Sequence, residues 1–69
     1  MIKKGILKSF NETTYLATVQ IEGSLSVWLE NIPVSRAIPA SEMTSGRKVA
    51  VLFIDPSNFS DAVVIAVWG

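Results

Sequence analysis

The stretch VAVLFIDPSNFSDAVVIAVWG, residues 49–69, contains two apolar runs on either side of a polar loop. Both runs are rich in Val and Ile, which favour strands. Neither run alternates between apolar and polar residues, whereas a strand with one face in water usually does. The stretch therefore predicts a hairpin of two strands in which both faces are apolar and both need cover.

The chain has 69 residues, which is enough for one small domain, residues 1–69, and such a domain is only marginally stable by itself. Small domains are commonly stabilised by disulfides, by a metal or by oligomerisation. The sequence has no cysteine and no histidine, so disulfides, thiolate ligands, imidazole ligands and the commonest general base are all missing. Self-association is the remaining means of stabilisation.

The formal net charge is zero, and charged residues make up 17% of the chain, against about 25% in an average soluble domain. This balance argues against a protein that finds nucleic acid by long-range electrostatics. No apolar run approaches the roughly 20 residues of a membrane helix. The first ten residues contain lysines but no apolar core, so we expect no signal peptide, no membrane partner, and a cytoplasmic or virion location.

Five segments have the composition of short strands, at residues 2–10, 13–22, 25–29, 48–55 and 62–68. The second has the clearest period of two, with an apolar face made of Tyr15, Ala17, Val19 and Ile21. In the first, Gly5 indicates a bulge or a close approach of two backbones. The sequence DPSN at residues 55–58 is typical of a type I turn.

Residues 31–46 interrupt the strand pattern, because Pro33 and Pro39 each fix φ and lack a backbone donor. This connection has room for one helical turn at residues 39–43, with Ser41 as its cap and Gly46 as its end. Five short strands and one long connection predict an all-β fold, a small five-stranded OB-like Greek-key barrel with at most one helical turn in the 31–46 connection.

In such a barrel one face of each strand fills the interior, and the outer faces of the fourth and fifth strands stay uncovered. We expect this surface to be an oligomer interface. The predicted interface residues are Trp28, Ala50, Leu52, Ile54, Val64, Ala66 and Trp68. The alternative is that the connection covers the second face by itself, using its apolar residues Ile32, Val34, Ile38 and Met43.

The acidic residues and serines suggest no chemistry. Asp55 and Asp61 flank one loop and could ligate Ca²⁺, but their spacing matches no known calcium loop, and capping of the turn explains them. Four glutamates are scattered rather than paired, namely Glu12, Glu22, Glu30 and Glu42, and the serines lack a histidine base. We therefore predict that the protein is not an enzyme, with no catalytic residue, no metal site, no cofactor and no small-molecule substrate.

A basic stripe is the remaining candidate site, made of Lys3, Lys4, Lys8, Arg47 and Lys48. OB barrels bind single strands by stacking bases on aromatic side chains in a basic groove. In this sequence the basic and aromatic residues are not interleaved. Single-stranded nucleic-acid binding is therefore the alternative function, and it rests mainly on analogy with the fold.

Several short motifs follow one another in a familiar order. Gly5-Ile6-Leu7 comes first, then Trp28-Leu29, then the run GRKVAVLF at residues 46–53 and the run AVVIAVW at residues 62–68. In this order and spacing the chain resembles the OB-fold domain of phage baseplate assembly and tail-hub proteins, which also occurs in type VI secretion spikes. The resemblance implies a five-stranded OB barrel that assembles symmetrically, often as a trimer.

Taken together, these features predict a non-catalytic structural or assembly module, phage-derived or virus-like, that self-associates through apolar strand faces. The expected partner is a second copy of the chain, in a dimer or a trimer, or else a larger assembly on which the chain docks.

Overall fold

A computed structural model describes residues 1–23, 28–55, 57–58 and 61–69 of the chain. The protein is all-β, as predicted, and its five strands form one sheet. The strands are β1 (Ile2–Asn11), β2 (Leu16–Ile21), β3 (Trp28–Pro33), β4 (Lys48–Phe53) and β5 (Ala62–Trp68). Their order across the sheet is β3-β2-β1-β4-β5, and every neighbouring pair is antiparallel.

The two edge strands, β3 and β5, approach each other at one end of the sheet. Val34, just after β3, forms a parallel bridge with Val64 of β5. The Ser35 N–H donates to the Val64 carbonyl oxygen at 2.8 Å. The sheet is therefore strongly curved, but it is not closed as a continuous ladder of paired strands. In this respect it falls short of the predicted barrel.

The strand β2 begins at Leu16, three residues later than predicted, because Asn11 organises a turn before it. The Asn11 side-chain oxygen accepts hydrogen bonds from the Thr13 N–H at 2.9 Å and the Thr14 N–H at 3.3 Å. The Asn11 carbonyl oxygen accepts one from the Tyr15 N–H at 2.8 Å. These donors would otherwise be available to a strand ladder, so the local turn replaces the predicted extension of β2.

The strand β3 extends to Pro33, whereas the prediction ended the third strand at residue 29. A register shift between β2 and β3 coincides with Asn31, whose φ is 56°, a conformation that Asn tolerates better than most residues. This bulge lets the strand continue, and Pro33 is tolerated because β3 lies at the edge of the sheet. The start of the predicted third strand, residues 25–27, lies outside the described residues.

The predicted helical turn in the connection is confirmed as the 3₁₀ turn Ala40–Glu42. The predicted cap is wrong, because Ser41 lies inside the turn, Pro39 precedes it, and no side chain caps it. Gly46 follows with φ of 93°, and its N–H donates to the Leu7 carbonyl oxygen at 2.8 Å. The connection is thus attached to β1 immediately before β4 begins.

The core lies on the inner side of the curved sheet, and the connection completes it. The buried apolar residues are Leu7, Ala17, Val19, Ile21, Ile32, Val34, Ile38, Met43, Val49, Val51, Phe53, Ala62 and Val64. Tyr15 packs against this cluster, and its hydroxyl donates to the Ile38 carbonyl oxygen. The four apolar side chains that could have covered the outer face, from Ile32 to Met43, are therefore all used on the inner side.

The strands β1 and β2 approach each other closely at Gly5. An added Cβ would lie 2.6 Å from Val19 Cγ1 and 2.8 Å from the Gln20 carbonyl oxygen. Both distances are shorter than van der Waals contact, so a side chain would force the strands apart. The predicted close approach is confirmed, and the bulge in β1 occurs further on, between Leu7 and Ser9.

Replacing Gly5 with Ala should lower the free energy of unfolding by about 1–3 kcal/mol, because the methyl group would overpack the contact with Val19. Urea denaturation of the two chains measures the difference. Ser9→Ala, at an exposed position of the same strand, is the control and should change stability by no more than about 0.5 kcal/mol. Equal stability of all three chains would contradict the close approach.

Candidate interface on the outer face of the sheet

The outer face, defined here as the side of the sheet opposite the core, is arranged in rows by the cross-strand register. Directly opposite residues in neighbouring strands lie within side-chain contact distance. The first row is apolar and consists of Ile2, Leu52 and Val63. The second row consists of Lys4, Ala50 and Ala66. The apolar part of the face therefore crosses β1, β4 and β5.

The third row crosses all five strands and has a tryptophan at each end. It consists of Trp28, Gln20, Ile6, Lys48 and Trp68. Both tryptophans are exposed, Trp28 by 53% and Trp68 by 43%. Residues of this size are commonly covered in a folded chain, so two exposed tryptophans in one row make this side of the sheet the best candidate for a binding surface.

The register shift in the C-terminal hairpin decides which β5 residues belong to the outer face. Val64 lies opposite Val51, and Ala66 lies opposite Ala50, so β5 has one extra residue between these pairs. Ile65 is that residue, and it is 38% exposed. Because an extra residue reverses the alternation of a strand, Val64 faces the core while Ala66 faces outward.

The seven predicted interface residues are therefore not all on one surface. Three of them are exposed at the ends of the face, namely Trp28, Ile54 and Trp68, and Ile54 is the most exposed at 60%. Three are partly exposed at its centre, namely Ala50, Leu52 and Ala66. Val64 is the exception, because it is fully buried in the core with 0% exposure.

The predicted interface omits apolar residues that the outer face contains, among them Ile2, Ile6 and Val63, and it omits the exposed bulge residue Ile65. Ile2 is 62% exposed and joins the face because it pairs with Leu52. The sequence shows an isoleucine at this position, but it does not show that the residue lies next to Leu52 in the sheet. Val63 and Ile65 were missed because no residue type in β5 marks the bulge.

The charged groups around the face are largely balanced within the chain. Lys4 Nζ lies 3.2 Å from Glu22 Oε1, and Arg47 pairs with Glu42 at 3.1 Å. The predicted basic stripe is thus divided, because two of its members have acidic partners. Lys8 and Lys48 instead lie beside the tryptophans: Lys8 Nζ is 5.3 Å from the Trp28 ring centroid, and Lys48 is directly opposite Trp68.

Asp55 and Ser57 have structural contacts in the loop between β4 and β5. Asp55 Oδ1 accepts hydrogen bonds from the Ser57 N–H and the Ser57 hydroxyl, both at 3.0 Å. The turn is closed by the Asn58 N–H donating to the Asp55 carbonyl oxygen at 3.0 Å. Asp55 thus caps the turn. Within the described residues no three acidic side chains come together as a metal site would require.

Ser45 donates its hydroxyl to the Lys8 carbonyl oxygen at 3.0 Å, and this hydrogen bond links the connection to β1.

An open, shallow cleft at the start of β1 is lined by Met1, Ile2, Lys3, Lys4, Glu22 and Gly23. Its lysines are exposed, and nothing in it is enclosed as a ligand pocket usually is.

Comparisons with protein-family models, with curated proteins and with solved structures find no match to this chain. Among the described residues, no helix has the length and hydrophobicity needed to cross a membrane. The outer face of the sheet is therefore the feature of the molecule from which a function can be inferred.

Replacing Val64 with Ala should lower the free energy of unfolding by about 2 kcal/mol, since a fully buried side chain is truncated and a cavity is left. The adjacent change Val63→Ala, on the partly exposed outer face, should have less than half that effect. Chemical denaturation at low protein concentration measures both. An equal effect of the two changes would contradict the burial of Val64 and the outward orientation of Val63.

Proposed function

We propose that the chain is a non-catalytic structural module, phage-derived or virus-like, which self-associates through the outer face of its sheet. The observation that carries the proposal is the exposed apolar surface of the C-terminal hairpin and its neighbour β1, where Ile2 is 62% and Ile54 is 60% exposed. Contiguous apolar surfaces of this kind are typical of interaction sites rather than of free monomers.

The size of the protein supports a second copy as the partner. The accessible surface of the described chain is 4156 Å², and its principal extents are 30 × 20 × 16 Å. A standard interface covers about 800 Å² on each partner, which is roughly a fifth of this surface. The broad outer face has the right dimensions, and a chain with one small core gains most from such cover.

The charge distribution also supports self-association. The net charge is zero, so two copies do not repel each other at long range. The salt bridge between Lys4 and Glu22 is at the rim of the apolar rows, where polar residues of an interface commonly lie.

The strand arrangement is compatible with the OB barrel that the resemblance to tail-hub proteins implies. The order β3-β2-β1-β4-β5, with Val34 next to Val64, is the order of a five-stranded barrel opened along the contact between β3 and β5. We propose that the fold is OB-like, and that the assembly is a dimer, a trimer or a docked subunit of a larger structure.

Replacing Ile54 with Lys should weaken self-association by about tenfold or more, because the exposed isoleucine would become a charge within an apolar interface. Sedimentation velocity or light scattering after size-exclusion, over a range of concentrations, measures the mass. Thr44→Lys adds the same charge at an exposed position of the connection and should leave association unchanged. A strictly monomeric unmodified chain at high micromolar concentration would refute the proposal.

A second candidate function is single-stranded nucleic-acid binding, and one observation favours it. Each exposed tryptophan of the third row has a lysine beside it, Lys8 at Trp28 and Lys48 at Trp68. Bases can stack on the tryptophans while the ammonium groups contact phosphates. The pairing of aromatic and basic residues that is absent along the sequence is thus produced by the sheet.

If this second function holds, labelled oligothymidylate should bind with a salt slope of about −1.4, since two lysines neutralise two phosphates at about −0.7 each. Fluorescence anisotropy measures the affinity. Trp68→Ala should weaken binding by about 1–3 kcal/mol, while Lys3→Ala, an exposed lysine outside the third row, is the control. Absence of saturable binding at low salt would rule this function out.

A further inference from the structure

The two edges of the sheet differ in how they are protected against pairing with another strand. Natural edge strands are commonly blocked by charged residues, by proline or by bulges. The edge strand β3 has all three, because it contains Glu30 and Pro33 and bulges at Asn31 with φ of 56°. A further strand could not form a regular ladder along it.

The edge strand β5 has little such protection. Its sequence, AVVIAVW, contains no charged residue and no proline. At Val64 the edge is occupied, since the Val64 carbonyl oxygen accepts the Ser35 N–H at 2.8 Å. The bulge at Ile65 ends there, and among the described residues no other strand pairs with residues 66–69 on the side away from β4. This segment has the composition of a strand that pairs with another strand.

We infer that two copies of the chain pair their β5 strands, antiparallel and about a twofold axis, through the backbone edge of residues 65–69. This inference rests on the proposed self-association and adds to it a second contact, along the edge of the sheet, that is separate from the contact through the outer face. A twofold interface uses the same patch on both copies, and a strand that pairs antiparallel with itself satisfies that requirement. The two sheets then become one continuous sheet.

Side-chain sizes indicate the register of this pairing. If the axis passes through Val67, each Trp68 lies opposite Ala66 of the second copy. The reason is that one residue before Val67 in one strand and one residue after it in the other are equally far from the axis. Ala66 and Trp68 both belong to the outer face, so a large ring meets a small side chain twice. Val67 meets its own copy as a β-branched pair, which antiparallel strands favour.

The pairing also continues the outer face from one copy to the next. Trp68 ends the third row at the edge of the sheet, and a second copy would extend that row beyond it. The exposed side of Trp68 would be covered, and the apolar rows of the two copies would form one surface. An unrelated strand could use the same backbone edge, but it would lack the reciprocal match between Ala66 and Trp68.

The absence of cysteine from the chain allows a direct test by disulfide formation. In the variant V67C the two introduced thiols would face each other across the axis, at the Cα separation of opposite antiparallel residues, about 4.5–5.5 Å, which suits a disulfide. Under mild oxidation, covalent dimer should form at least about tenfold faster than in E30C, a control at an exposed position of the other edge. Mass spectrometry of the non-reduced chain measures the dimer.

Amide hydrogen exchange of the unmodified chain is a second measurement of the edge pairing, and it does not depend on whether V67C folds. Amides of residues 66–69 should be protected above the association midpoint and exchange faster below it. A monomeric chain at every concentration would refute both this inference and the proposed function. A self-associating chain in which V67C is no faster than E30C, or in which these amides gain no protection, would refute the edge pairing alone.

Discussion

The connection between β3 and β4 can cover only one side of the sheet, and the character of the protein follows from this limit. Ile38 and Met43 extend from the connection into the core, and the Tyr15 hydroxyl holds that segment against the inner side through Ile38. Among the described residues, no other connection between strands is long enough to cover the outer side. The exposed isoleucines and tryptophans are the direct result.

The bulge at Ile65 is the second determinant of the surface. Without it, the alternation of β5 would continue unbroken, and either Val64 would leave the core or Ala66 and Trp68 would leave the outer face. With it, the first half of the strand completes the core next to Val51, and the second half presents a row to solvent. One extra residue thus allows a single strand to contribute to both the stability of the subunit and its candidate interface.

The same outer face supports the two candidate functions through different properties. Self-association depends on the apolar rows around Leu52 and on the balanced charges at the rim. Nucleic-acid binding depends on the lysines beside Trp28 and Trp68 and on rings that stay accessible. Since pairing of β5 strands would cover Trp68, the two functions would compete at that edge, and we favour assembly because the apolar rows are the larger part of the face.

The strand content, the position of β5 and an apolar surface beyond the core could be predicted from the sequence, and a close approach was one of two alternatives predicted at Gly5. These properties follow from composition, period and turn residues, which act locally. The burial of Val64 and the position of Ile2 beside Leu52 could not be predicted, because register shifts and cross-strand neighbours depend on contacts between distant segments. The positions of Lys8 beside Trp28 and of Lys48 beside Trp68 could not be predicted for the same reason, since the spacing of residues along the chain does not show which strands become neighbours.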